Sequence, residues 1–233
     1  MADGSAEAYR TGDGPGVLLF MDAIGLRPQI ESMADRIASW GYTVLAPNVF
    51  WRDGTADDLM PKVDLRVPEN REAFFATGVM DRVASITPDV ARADAERWIA
   101  ALPAGKVAAT GYCFGGRLAL RAAADFDIAA VGMFHTGGIV TDAPDSPHLV
   151  VPQVTAEVLA GHADHDRSNS PDQIAAFDEA LSAAGVAHTT AVYPDAPHGY
   201  TMADTAMYQE AGAERHYDEL RGLLSRSIPS NSR

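Results

Sequence analysis

Residues 110–120 read Thr-Gly-Tyr-Cys-Phe-Gly-Gly-Arg-Leu-Ala-Leu and hold the only cysteine, Cys113, of a 233-residue chain. A thiol set as Gly111-x-Cys113-x-Gly115-Gly116, after an apolar run and before a run of helix formers, has the pattern of a nucleophile elbow with Cys in place of Ser. The small residues answer a steric need, because the nucleophile's backbone is strained at so sharp a turn and bulky neighbours would clash. The turn projects the sulfur out of the fold and over a helix N-terminus, whose partial positive charge favours a thiolate. The next backbone N–H, that of Phe114, is placed to hold an oxyanion. The competing role is a buried structural cysteine beside helix-packing glycines.

A thiol nucleophile needs a base, and the base needs a group to orient it. "YPDAPHGY" supplies His198 just after an apolar run, and "LAGHADHDRS" supplies Asp164 just after another. The chain order is then nucleophile, acid, histidine, with spacings of 164 − 113 = 51 and 198 − 164 = 34 residues. Asp166 is the alternative orienter. His162 and His165 beside these aspartates also raise a metal site, but the run lacks H-E-x-x-H and no metal is expected. In "FMDAIGLRP" the Ala23 N–H is a second candidate oxyanion donor, and Asp22 beside it has the chemistry of a turn residue bonding its own backbone.

Something must hold these residues together. Strand-length apolar runs at 16–22, 42–47, 106–112, 128–135, 151–161 and 188–194 alternate with helical patterns at 28–41, 69–102 (broken near Thr87-Pro88), 114–124, 171–185 and 203–224. Such alternation predicts an α/β fold: a mostly parallel central sheet with helices on both faces. Sites in such sheets form beyond the carboxyl ends of the strands, where Cys113, Asp164, His198 and Ala23 all fall. A single domain over 1–233 is expected, with a loose tail from about residue 226.

Composition narrows the partners. Asp plus Glu is 32 and Lys plus Arg 18, so the net charge is 18 − 32 = −14. An acidic surface repels phosphate backbones and anionic lipid, so neither nucleic acid nor membrane is expected as a partner. One cysteine makes no internal disulfide, and "MADGSAEAYR" lacks the basic and apolar regions of a secretory signal, so a cytoplasmic location is expected. No Walker A and no G-x-G-x-x-G after a strand occurs, so no cofactor is expected.

With "GYCFGG", "GHAD" and "PHGY" in hand, the chain resembles the dienelactone hydrolase family of α/β-hydrolases over nearly its whole length, from about Gly14 to Leu224. The resemblance implies a Cys113–His198–Asp164 triad, oxyanion donors from Ala23 and Phe114, and hydrolysis of a small ester or lactone through an acyl-thioester. It implies that Asp22 stands where members carry a glutamate that gates the resting cysteine. Arg71 corresponds to one of two arginines that hold the substrate carboxylate, whereas Met202 stands where the other would be. That replacement points to a less charged or larger ester or lactone, with Trp51, Phe50, Phe134, Tyr200 and Met202 as pocket walls. A monomer or homodimer is expected. Rival readings are a non-catalytic ligand-binding protein of the same fold and a redox-active thiol protein, the latter needing an external resolving thiol.

Overall fold

The computed structural model describes residues 4–230. Its strands are β1 (Ala8–Thr11), β2 (Gly16–Phe20), β3 (Thr43–Pro47), β4 (Val107–Tyr112), β5 (Ile128–Phe134), β6 (Glu157–Ala163) and β7 (His188–Tyr193). Helices α1 (Pro28–Ala38), α2 (Ala56–Leu59), α3 (Pro68–Phe75), α4 (Val79–Ser85), α5 (Pro88–Ala100), α6 (Phe114–Asp125), α7 (Pro171–Ala183) and α8 (Glu210–Ser227) lie between and after them. The sheet runs β1-β3-β2-β4-β5-β6-β7. β1 is antiparallel to β3, and every other pairing is parallel.

The central strands are apolar along their whole length because both faces are covered. Val17, Leu18 and Leu19 of β2 and Ala108 and Ala109 of β4 have no solvent exposure. α1 and α8 share one face, joined by the Arg36–Glu214 ion pair and by Trp40 edge-on to Tyr217. α5 and α6 cover the other, where Trp98 of α5 meets Phe20 of β2 edge-on. α1 buries Ile30, Met33, Ala34 and Ile37, the stripe its 3–4 spacing marks, and opens on Pro28. α7 opens on a capping box, with Ser170 and Gln173 each accepting from the other's backbone N–H.

Sheet order reverses between β2 and β4: the chain leaves β2 toward β3 on one side, then returns to place β4 on the other. The crevice at such a reversal lies open at the carboxyl ends of the strands. Ala23 follows β2 and Cys113 follows β4, so both border it.

Several elements differ from the sequence expectation. β1 is an additional strand, four residues long and half-exposed, whose weak alternation hides it from periodicity. The expected strand over 151–161 is instead a 3₁₀ segment, Pro147–Gln153, followed by β6 from Glu157. Pro147 and Pro152 lack the N–H that a central strand must donate. The last helix begins at Glu210 rather than 203, because Thr205 bridges to Leu65 and the Gln209 side chain caps the Gly212 N–H. The expected loose tail is ordered at its start: α8 runs to Ser227, Ile228 is buried, and Ser230 Oγ–H donates to the Trp40 carbonyl. Residues 231–233 of that tail lie outside the described residues. Among the described residues no helix is long and apolar enough to cross a membrane, and no group of three or more His, Cys, Asp or Glu is arranged to hold a metal ion.

Candidate active site

Cys113 sits between β4 and α6 at φ 54°, ψ −123°, a left-handed conformation that costs a non-glycine residue about 1–3 kcal/mol. The turn closes only because its neighbours lack side chains. A Cβ on Gly111 would land on the Gly115 carbonyl, one on Gly115 on the carbonyls of Phe20 and Met21, and one on Gly116 on Thr136 Oγ1. The glycines thus let α6 start tight against the ends of β2, β4 and β5.

The N–H groups of Ala23 and Phe114 have no acceptor among the described residues, and both residues line the cavity that holds Cys113. Phe114 is fixed by stacking on Phe50, ring centroids 5.5 Å apart.

His198 lies in the loop after β7, with its Nε2 3.1 Å from Cys113 Sγ. Its Nδ1–H donates to Asp166 Oδ2 at 2.6 Å. The Asp166 side chain is only 3% exposed. Ser168 steadies it, its N–H and Oγ–H both donating to Asp166 Oδ1 at 2.8 and 2.6 Å. Burial pulls the His198 imidazole toward the neutral form, but Asp166 and Cys113 on its two sides outweigh that and push its pKa up to about 10. For Asp166, burial favours the protonated acid, and the hydrogen bonds from His198 and Ser168 overcome it and hold the carboxyl below its ordinary value.

Asp164 is the expected partner of His198 and Asp166 the alternative; in the structure it is Asp166 that meets His198. His165 between them takes a left-handed φ of 51°, which turns the chain so that the two carboxylates diverge. Asp164 Oδ2 instead accepts from the Asp195 N–H at 3.0 Å, and the Asp164 N–H donates to the Ala196 carbonyl. Asp164 therefore ties down the loop that carries His198.

Asp22 is also corrected. It lines the cavity but makes no hydrogen bond to Cys113: its Oδ1 accepts from the Ile24 N–H and, at 2.6 Å, from Arg27 Nη1. The turn role foreseen for Asp22 is present; the gating contact is not. Arg27, equally buried, also donates through Nε to Asp204 Oδ2 at 2.6 Å and through Nη1 to the Gly25 carbonyl. Burial disfavours its charge, and the two carboxylates more than restore it. Arg27 thus staples the Ala23 loop to the loop after His198, a link that no local motif announces.

Of the remaining expected residues, Arg71 and Met202 line the cavity. Trp51 and Tyr200 do not. The Trp51 Nε1–H donates to Asp94 on α5, and the Tyr200 hydroxyl, fully buried, donates to the Gly161 carbonyl of β6. Phe50 and Phe134 are core residues as well. The cavity measures about 830 Å³, and Phe75, Met80 and Val83 of α3 and α4 form its apolar side. His135, unforeseen, lies beside His198 with ring centroids 5.4 Å apart and its Nε2 2.8 Å from Thr201 Oγ1. Burial holds its pKa well below the ordinary value, so it stays neutral beside the charged His198.

A mostly parallel sheet covered on both faces, with a cysteine on a strained strand-to-helix turn and a histidine and aspartate after the last two strands, has the architecture of the α/β-hydrolase fold. Solved structures agree: a dienelactone hydrolase-like protein of Klebsiella pneumoniae superposes with a TM-score of 0.71 at 23% identity, covering 95% of this chain and 93% of that one. Residues 5–227 match the dienelactone hydrolase family, and the chain belongs to it. A carboxymethylenebutenolidase-like protein of Methylorubrum extorquens is 26% identical over 95% of this chain and 77% of its own length. The carboxymethylenebutenolidase of Pseudomonas sp. strain P51 is 30% identical over 54% of this chain and 52% of its own.

Proposed function

We propose that the protein hydrolyses an ester or lactone through an acyl-enzyme on Cys113, with His198 as proton carrier and Asp166 orienting it. The observation that carries this reading is the 3.1 Å approach of His198 Nε2 to a sulfur on a strained elbow. Family membership supports the hydrolytic class.

Asp166 and Cys113 raise the His198 pKa to about 10, so the imidazole carries its proton at neutral pH, and in this mechanism the sulfur reacts as the thiolate. The sulfur lone pair attacks the acyl carbon, and the carbonyl π pair moves onto oxygen. The Ala23 and Phe114 N–H groups receive that oxyanion, a contribution of about 3 kcal/mol per donor. The tetrahedral adduct collapses, the C–O bond breaks, and the leaving alkoxide takes the Nε2 proton. Water then gives its proton to the neutral His198 while attacking the thioester, and the thiolate leaves. Asp166 keeps the imidazole in the orientation both steps need. Neutral His135 adds no second cation to repel the imidazolium.

The test is p-nitrophenyl acetate turnover by wild type, Cys113→Ala and Cys113→Ser, with iodoacetamide labelling of wild type. Turnover lost in Cys113→Ala and blocked by alkylation is the expected result. Undiminished turnover in Cys113→Ala overturns the reading.

A further inference from the structure

Residues 134–138, Phe-His-Thr-Gly-Gly, close β5 and meet Cys113 and His198 directly and Asp166 through Ser168. The Phe134 carbonyl accepts the Cys113 N–H at 3.0 Å and so fixes the strained elbow. The Gly138 N–H donates to the Ser168 carbonyl at 2.7 Å, holding the residue whose hydroxyl steadies Asp166. Gly137 leaves room for both neighbours: a Cβ there would overlap Ser168 and stand 3.4 Å from His198 Cε1. His135 supplies the ring that packs beside His198.

His135 is held in one orientation. Its ring is buried and stands edge-on to Tyr200 and His198, with centroids 5.0 and 5.4 Å away. Its Nε2 and the Oγ1 of Thr201, also buried, share a hydrogen bond of 2.8 Å. Its backbone N–H and the Tyr200 hydroxyl both donate to the Gly161 carbonyl. Tyr200 and Thr201 follow His198 by two and three residues. These contacts therefore clamp the loop that carries the base onto the strand whose last carbonyl holds the elbow.

As packing alone this arrangement is costly. His135 takes a left-handed φ of 39°, a region that non-glycine residues occupy under strain. Its Nδ1 is buried with no hydrogen-bond partner among the described residues, which is unfavourable. Phenylalanine would fill much of the same space without a stranded nitrogen. What only the imidazole supplies is the Nε2 bond to Thr201. Burial keeps the ring neutral, so it packs against protonated His198 without repelling it.

Close restraint matters because His198 Nε2 must stay near Cys113 Sγ, now 3.1 Å away, and a misplacement of about 1 Å can cost about 10²-fold in rate. Asp166 anchors the imidazole at Nδ1, and the contacts of His135 limit how far the ring and its loop can tilt. Building on the acyl-enzyme reading, we propose that His135 is a positioning residue that, bonded to Thr201, holds the His198 ring against the Cys113 sulfur. It acts through His198 and takes no proton in the reaction.

The experiment has two readouts: p-nitrophenyl acetate turnover and, with no ester present, alkylation of Cys113 by iodoacetamide at pH 6. Both are measured on wild type, His135→Phe, His135→Gln, Thr201→Val and the double variant His135→Phe/Thr201→Val, each at a temperature where it is folded. His198→Ala sets the alkylation rate of the thiol without its base. His135→Phe and Thr201→Val should each lower kcat about 10- to 100-fold while KM stays within about threefold. Their losses should not multiply, because both break one link, so the double variant should match the slower single variant. His135→Gln, whose amide nitrogen reaches the place of Nε2, should recover part of the loss. Alkylation of both single variants should fall most of the way to the His198→Ala rate. If His135→Phe does not fold, Thr201→Val, which keeps the shape of the side chain, decides by itself. A kcat within about threefold of wild type in the single variants, losses that multiply, or alkylation at the wild-type rate overturns the proposal. A wild type that hydrolyses no ester, yet alkylates faster than His198→Ala and loses that advantage in the single variants, ends the hydrolytic reading and leaves the positioning role standing. Equal alkylation of wild type and His198→Ala overturns the proposal together with the Cys113–His198 contact it rests on.

Discussion

Asp166 Oδ2 lies 2.6 Å from His198 Nδ1, whereas Asp164, two residues earlier, bonds the backbone of Asp195. Asp166→Asn should therefore lower kcat for p-nitrophenyl acetate by about 10²–10⁴ and move the His198 titration, followed by NMR, to lower pH. Asp164→Asn retains an acceptor for the Asp195 N–H and should stay within about threefold of wild type. Similar losses in both variants would contradict the assignment.

The Asp22–Arg27 pair is buried on both sides, with side chains 5% and 2% exposed. Arg27→Met strands Asp22 and should lower the unfolding free energy by about 3–5 kcal/mol in urea titrations. Adding Asp22→Asn removes the stranded charge and should recover part of that loss. If the double variant were no more stable than Arg27→Met alone, Arg27 would be acting through its packing rather than its charge.

Gly115 and Gly116 make opposite predictions for rescue. A Cβ at Gly115 meets backbone carbonyls, which have nowhere to move, so Gly115→Ala should unfold or inactivate the protein. A Cβ at Gly116 meets the side chain of Thr136, whose buried Oγ1 has no hydrogen-bond partner among the described residues. Thr136→Ala should then be tolerated alone and should partly restore the melting temperature and activity of Gly116→Ala. It should do nothing for Gly115→Ala.

Acid should destabilise the fold through its buried histidines. Burial lowers the pKa of His162 to about 4 and of His216 to about 3, against an ordinary value of 6.5. The unfolded chain takes up these protons first, so stability is full above pH 6.5 and falls as pH drops through the folded values. Urea titrations at pH 7 and pH 4.5 should differ by several kcal/mol, at about 1.4 kcal/mol per pH unit per group. His216→Phe should start lower, because it strands the Tyr112 hydroxyl, and should show a shallower pH dependence.

Much of this molecule could be read locally. The elbow around Cys113 was legible because its requirement is steric and lies within six residues: a strained turn against three strand ends tolerates only glycine at 111, 115 and 116. The parallel sheet was legible because strands buried on both faces must be apolar throughout, and its helices because their buried stripes recur every three to four residues. His198 followed from its position after a strand. Tertiary structure alone decided the partners. Asp164 and Asp166 are chemically alike, and only the left-handed turn at His165 sends one to His198 and the other to Asp195. Trp51 and Tyr200 have the composition of pocket walls, but hydrogen bonds to Asp94 and to the Gly161 carbonyl hold them away from the cavity. Arg27 and Arg117 carry the same side chain. One meets Asp204, 177 residues away, and the other meets no acceptor among the described residues, a difference set by long-range packing that no pattern within a single element encodes.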